Sequence, residues 1–511
     1  MVEAARSLSA RVWRRVRGAP AGVVVALVML ATALLRVPML DARLGSDEGG
    51  FLMVAGQWDP GRSLYGDYWV DRPPLIIGIF QIADALGGGA VALRLLGLTC
   101  AVASVGLAAV LGRLVAPDRR WAPVVAAATA SVFLLSPLFG AFEVNGELLA
   151  SPFVLGGLAA VLRAARSGRT ATALAWWTVA GAAGAAAAST KQSMLDVAAA
   201  AGVVVLIHLA RRRWRAAAVA VAGFGAGAAG LLALLLTWAR AEGTSVRGLY
   251  GAVVTFRFDA SAVISQSASA ATSHRALAIT ASFLASGAVL LLLVAAFPSL
   301  RLARPRRWFE AARADPVASG VTAAVVGWEL AAVVAGGSYW HHYLLGTVPG
   351  VVLATALALQ HRPRRTRWVA AVLAYSALVT AVTLTIVVPS ASSATSETQV
   401  ARYLATHSGP GDTGVVAFGA PVILREAGLA SPYPNLWSLP ARVRDPDLRH
   451  FARVLRSRER PTWVVVAGAS LGTWGIDARR AEPALARRYT LVHVIGDWHV
   501  YRENAPDRGV R

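Results

Sequence analysis

Charge is scarce in this chain. Of its 511 residues only 15% are Asp, Glu, Lys or Arg, against 56% hydrophobic, and the mean hydropathy is +0.54. Soluble domains carry about 25% charged residues, so a soluble globular protein is excluded. Cysteine is nearly absent, and the lone Cys100 permits no intramolecular disulfide. Lysine is as rare: Lys191 stands alone among 49 arginines, a bias that fits a GC-rich genome. No zinc-ligand spacing, P-loop, nucleophile elbow or solenoid period occurs. What the chain has instead is apolar runs of about 18–24 residues, each able to cross a hydrocarbon core of roughly 30 Å. It reads as a polytopic membrane protein.

The net charge of +22 would suit nucleic acid if it were clustered. The arginines instead punctuate the apolar runs, as the positive-inside rule requires, and no nucleic-acid partner is expected. Eleven spans are predicted, near 20–39, 89–112, 121–140, 147–163, 171–190, 193–210, 216–238, 276–297, 317–337, 343–360 and 368–389. With the N-terminus cytoplasmic, the inner segments hold 24 basic residues and the outer segments before residue 389 hold ten. An odd number of spans places the tail outside. The first run follows Arg6, Arg11, Arg14, Arg15 and Arg17. It is longer than a usual signal-peptide core and lacks a small-residue cleavage site before Arg36, so it reads as a retained anchor. The expected setting is a bacterial plasma membrane, with a multi-pass chain and an extracytoplasmic C-terminal domain.

Two domains are expected: a membrane domain over 1–389, with a long first outer loop at 40–88, and a small α/β domain over 390–511. In the loop, Phe51, Val54, Ala55 and Trp58 recur at helical spacing, which predicts an amphipathic helix lying along the interface. The stretch "DPGRSLYGDYWVDRPP" breaks it, and Pro73-Pro74 starts a second helix. "GAAGAAAAS" in the fifth run suits close helix packing. In the tail, "TGVVAFG", "PTWVVVAG" and "YTLVHVIGDWHVY" read as strands and "DPDLRHFARVLRSR" as a helix, after a Ser/Thr-rich linker.

The chemistry-bearing residues gather at the outer ends of the spans. Asp47 and Glu48 follow the first span, and Asp67, Asp71 and Arg72 sit in "YGDYWVDRPPL". Glu143 and Glu147 occupy "FEVNGELLASPF", Lys191 lies in "STKQSML", and His341, His342 and Tyr343 in "GSYWHHYLLGTVPG". Carboxylates and cations on one membrane face suit transfer from a phosphate-bearing lipid to a hydroxyl. A carboxylate takes the acceptor proton, and cations stabilise the departing phosphate.

In that order these motifs resemble the GT-C glycosyltransferases, in the branch of protein O-mannosyltransferase-like and lipid A aminoarabinose transferase-like enzymes. The resemblance covers roughly residues 20–389. It implies an all-α GT-C membrane fold and an inverting glycosyltransferase. The donor would be a polyprenyl-phosphate sugar and the acceptor an envelope hydroxyl on a protein, lipid or polysaccharide. Asp47 takes the family's base position and Glu147 its second acidic position. Arg72, before Pro-Pro, takes the position that contacts donor phosphate, with Lys191, His341 and His342 as further phosphate partners. Glu48 and Tyr343 stand as substrate contacts. No metal ligand set is compelled, although opposed carboxylates admit a divalent cation.

Each residue has a plainer reading. Asp47, Glu48 and Glu147 suit helix caps and dipole partners, and Arg72 suits snorkelling to headgroups. The His341 to Tyr343 cluster extends an aromatic belt with Trp340. Asp67 and Asp71 suit loop ordering and Glu143 a surface charge, while Arg94 and Glu329, inside spans, suit a structural ion pair. Two other functions compete. A transporter or flippase of lipid-linked sugars would place its charges near the midplane, often within inverted repeats. An envelope scaffold would leave the loop motifs without purpose.

Overall fold

The computed structural model describes residues 20–57, 63–266, 270–296, 314–361, 365–473 and 475–504. In chain order the first elements are α1 (Ala21–Arg36), α2 (Ser46–Gln57), α3 (Pro74–Ala85), α4 (Ala90–Val115), α5 (Ala122–Leu134), α6 (Gly146–Ala165), α7 (Thr170–Thr190), α8 (Asp196–Ala210) and α9 (Trp214–Ala241). There follow α10 (Phe256–Gln266), α11 (Ala270–Ala285), α12 (Ala288–Ala296), α13 (Pro316–Ala335), α14 (Val348–His361) and α15 (Thr366–Ser390). The chain divides into two compact units: Met1–Leu40, Leu95–Leu232 and His274–Val388 form one, and Asp41–Arg94, Ala233–Ser273 and Pro389–Arg511 the other.

Among the described residues each of the eleven predicted segments contains helix, though not all as one long rod. Among the described residues eight helices are long and apolar enough to cross a membrane: α1, α4, α6, α7, α9, α13, α14 with the 3₁₀ turn before it, and α15. The protein is therefore multi-pass. The run at 276–297 is a pair, α11 and α12, bent by 61°. Its hinge is Gly287, at φ +84°, where a side chain would collide with Ser376 Oγ. The other two are short, 13 residues in α5 and 15 in α8. α5 ends before a 3₁₀ turn, Pro137–Phe139, closed by Gly140 in the left-handed region. α8 starts late because Lys191–Leu195 makes a turn.

Within the first unit, small residues set the closest approach. A Cβ on Gly181 would strike the Phe224 carbonyl, and one on Gly227 the Thr178 carbonyl, so α7 and α9 meet backbone to backbone. Arg36, 4% exposed, donates to Leu134 O at 2.7 Å and Ala141 O at 2.8 Å, satisfying carbonyls freed where α5 ends. Asn145 caps α6 by accepting from Leu148 N at 3.0 Å.

The second unit contains the tail. After α15 come α16 (Ser396–His407), β1 (Gly414–Ala417), α17 (Val422–Ala427), α18 (Ser438–Arg444), α19 (Arg449–Arg456), β2 (Trp463–Ala467), α20 (Glu482–Arg488), β3 (Tyr489–Ile495) and β4 (Trp498–Glu503). The sheet order is β1-β2-β4-β3, with β1 and β2 parallel and the other pairs antiparallel. The long third strand segment of the sequence is thus a hairpin, turned at Gly496 with φ +56°. Val415, Ala417, Val464 and Val466 pack against Phe451 and Leu455 of α19 and Leu485 of α20, forming the tail's core.

α2 departs from the expected amphipathic interfacial helix. Phe51, Val54 and Ala55 are buried, but so are Leu52 and Met53 on the other faces, while Trp58 lies outside the described residues. The helix is enclosed by protein, with α3 on one side and α17 on another. Two glycines make this possible. A Cβ on Gly49 would stand 2.5 Å from Val422 Cα, and one on Gly50 would run into the Trp437 ring. α3 begins as expected, with Pro74 in its first turn, where a missing N–H costs nothing.

Candidate functional site

The candidate residues fall into two clusters, one in each unit. In the second unit, α2 carries Asp47 and Glu48 in its first turn, where the helix dipole favours carboxylates. Asp47 Oδ1 accepts the indole N–H of Trp437 at 3.0 Å. Its other oxygen has no protein donor among the described residues, and the side chain is half-buried. Ser46 Oγ donates to Gly419 O at 2.6 Å, tying the same turn to the tail.

Glu48 has a different environment. It is 1% exposed and engages Arg94, itself 5% exposed, through both oxygens. It also accepts from Gly45 N at 2.6 Å, while Arg94 donates to Arg43 O at 2.9 Å. The structural ion pair expected for Arg94 is thus made with Glu48. Among the described residues Glu329 forms no such pair: its carboxyl accepts from Gly350 N at 2.8 Å and neighbours Asp196.

Arg72 stands over the Phe51 ring at 5.5 Å, and Phe51 packs on Trp437 with centroids 5.5 Å apart. One chain of contacts therefore runs from Arg72 through two aromatic rings to Asp47. Asp71 lies between two guanidiniums, Arg72 at 2.6 Å and Arg257 at 2.9 Å. Burial pushes the Asp71 carboxyl up, but Arg72 and then Arg257 outweigh it and hold it below the ordinary range. Tail residues brace this loop: Trp69 N donates to Pro434 O at 2.9 Å, and Arg444 stands 4.4 Å over the Trp69 ring.

In the first unit, Lys191 Nζ pairs with Glu147 Oε1 and stands 4.5 Å over the Tyr343 ring. Glu147 is 3% exposed, and its Oε2 is buried without a hydrogen-bond partner among the described residues. Gly146 makes room for the lysine, since a Cβ there would stand 3.0 Å from Lys191 Cβ. His342 Nδ1 is 3.9 Å from Glu143 Oε2, and its ring meets Tyr343 edge-on at 5.2 Å. His341 is exposed at the start of the turn and Trp340 is 49% exposed. Glu147, Lys191, His342 and Tyr343 are thus brought together, and His341 stands apart.

Sequence reasoning missed Trp437 and Arg257. Nothing local marks Trp437, whose partner is 390 residues away. Arg257 was legible only as one more arginine of an outer loop. Among the described residues no group of three or more His, Cys, Asp or Glu is placed to hold a metal ion. Asp47, with one oxygen open among the described residues, and Glu147, with its orphan oxygen, each offer an acceptor for a proton or a hydroxyl hydrogen bond.

No family model matches the sequence, and no curated protein matches it. Solved structures do. ArnT from Cupriavidus metallidurans in the apo state superposes with a TM-score of 0.61 at 15% identity, over 94% of this chain and 98% of that one. The same protein bound to undecaprenyl phosphate gives 0.58 at 17% identity, over 96% of this chain and all of that one. The likeness covers nearly the whole chain, and the chain carries the GT-C fold.

Proposed function

We propose that this protein is an integral membrane glycosyltransferase that moves a sugar from a polyprenyl-phosphate donor to a hydroxyl of an envelope acceptor on the extracytoplasmic face, with inversion. Support comes from the GT-C fold over nearly the whole chain, shared with a protein crystallised with undecaprenyl phosphate. The observation that carries the assignment of roles is the asymmetric hold on Asp47: one oxygen is fixed by Trp437 and the other is open.

Asp47 acts as general base through that open oxygen. As the acceptor oxygen attacks the anomeric carbon, the bond from that carbon to the phosphate oxygen breaks, and the acceptor proton passes to Asp47. The donor phosphodiester leaves as a polyprenyl phosphate monoester with an added negative charge. Cations facing it therefore stabilise the transition state more than the ground state. Arg72 and Arg257 are suited to that task. Glu147 offers Oε2 to a sugar or acceptor hydroxyl. Glu48, committed to Arg94, keeps the α2 turn in place.

Asp47→Asn tests the reading. Asparagine keeps the size and can still accept from Trp437, but it takes no proton at neutral pH. Expected are normal membrane levels, near-normal binding of undecaprenyl phosphate and transfer reduced at least about 100-fold. Transfer is read by mass spectrometry of envelope glycans in a deletion strain carrying the variant. Parent-level transfer by Asp47→Asn would remove Asp47 as the base. Unaltered envelope glycans in the deletion strain itself would sink the transferase reading.

A further inference from the structure

The tail hides its apolar side chains well, with one exception. Among the described residues after Ser396, the large apolar side chains left exposed are Leu491 at 44%, Val492 at 41% and Val494 at 48%. All three lie on β3, which is an edge strand of the sheet. Single exposed apolar residues are ordinary, but a cluster on one free edge marks a surface that is covered in use.

Three observations say what covers it. The first is connection. The hairpin turn at Gly496 lies beside Ser396, with an added Cβ 3.3 Å from Ser396 Cβ. Ser396 begins α16, six residues after α15, an apolar spanning helix, ends at Ser390. Six extended residues reach at most about 20 Å, so the hairpin tip is tethered close to a bilayer surface. The second is shape. The pairing of β3 with β4 slips between Leu491 and His493, leaving Val492 in a bulge. Bulges bend and twist an edge and so discourage another strand from pairing there, which disfavours a second copy adding strand to strand. The third is charge. Arg487 and Arg488, just before β3, are exposed, so the apolar patch has a cationic margin suited to anionic headgroups.

We propose that the β3–β4 hairpin is a membrane-docking element, with Leu491, Val492 and Val494 resting in the headgroup region of the bilayer and Arg487 and Arg488 on anionic lipid. This inference is independent of the catalytic reading and of which membrane face the tail occupies.

The test uses the full chain with Cys100→Ser, bearing Val494→Cys labelled with an environment-sensitive fluorophore. Leu491→Cys serves as a second site should the first perturb the fold, and Glu459→Cys, on the exposed face of the tail, as control. The proteins are reconstituted in nanodiscs of phosphatidylcholine with or without phosphatidylglycerol, and nitroxide-bearing lipid is added as quencher. Expected are blue-shifted emission and lipid-dependent quenching at 494 and 491, stronger with phosphatidylglycerol and weakened by salt, and neither effect at 459. Emission at 494 and 491 matching that at 459 would overturn the proposal. A concentration-dependent blue shift with no lipid quenching would also overturn it, in favour of a second copy as occupant.

Discussion

Trp437 donates its indole N–H to Asp47 Oδ1 at 3.0 Å, joining the tail to the first turn of α2. A hydrogen bond to a charged group contributes about 1.5–3 kcal/mol, and here it also selects which carboxylate oxygen stays open. Trp437→Phe keeps an aromatic ring against Phe51 and removes the donor. We expect unchanged membrane levels and undecaprenyl phosphate binding, and transfer lowered about tenfold. Parent-level transfer would reduce the bond to packing alone.

The glycines of α2 give a contrast within one helix. Gly50→Ala drives a methyl into the Trp437 ring, whereas at Gly56 an added Cβ meets Asp84 Oδ2 at 3.6 Å, an ordinary contact. Overpacking costs about 1–3 kcal/mol, while Gly to Ala in an open helical position gains up to about 1 kcal/mol. Gly50→Ala should lower Tm of the full chain in nanodiscs and expose the tail to protease. Gly56→Ala should leave both unchanged or raise Tm.

Lys191 and Glu147 separate stability from function. Lys191→Ala strands a buried carboxylate, which typically costs about 3–5 kcal/mol. Replacing both partners, Lys191→Met with Glu147→Gln, removes the charges together and should restore most of the lost Tm. Transfer should stay low in the double variant. Recovery of transfer along with Tm would assign the pair to the fold.

Asp71 supplies a pH test. Its folded-state pKa lies below the ordinary 3.8, because Arg72 and Arg257 outweigh the burial that raises it. A depressed carboxylate stabilises the fold above its unfolded value, and this contribution is lost as pH falls through the lower folded value. The Tm difference between parent and Asp71→Asn should therefore be constant from neutral pH to about 4 and shrink only below it. A difference that fades near pH 6 would contradict the pairing.

The readability of the sequence varied with the range of the cause. Hydropathy located each of the eight described helices long and apolar enough to cross a membrane, because composition alone decides whether a segment tolerates lipid. It did not see that Gly287 bends one run or that Pro137 and Gly140 shorten another, since backbone geometry turns on single residues. The strands of the tail were legible from β-branched runs. Burial of α2 on all sides was not legible, because its cover comes from residues near 420–437 that no local period announces. Of the candidates, Lys191, Glu147, His342 and Tyr343 were foreseen and do meet. The commitment of Glu48 to Arg94 required knowing that two residues 46 positions apart in the chain meet.

The seat that Gly49 and Gly50 provide has a consequence for biosynthesis. α2 leaves the ribosome early, yet the groups that fill its bare face, Val422 and Trp437, are made hundreds of residues later. Until then the Asp47 turn has neither its indole donor nor its cover. A chain that has inserted its helices but not finished its tail therefore holds the Asp47 carboxylate without its indole partner, and translation through Trp437 is the step that supplies it.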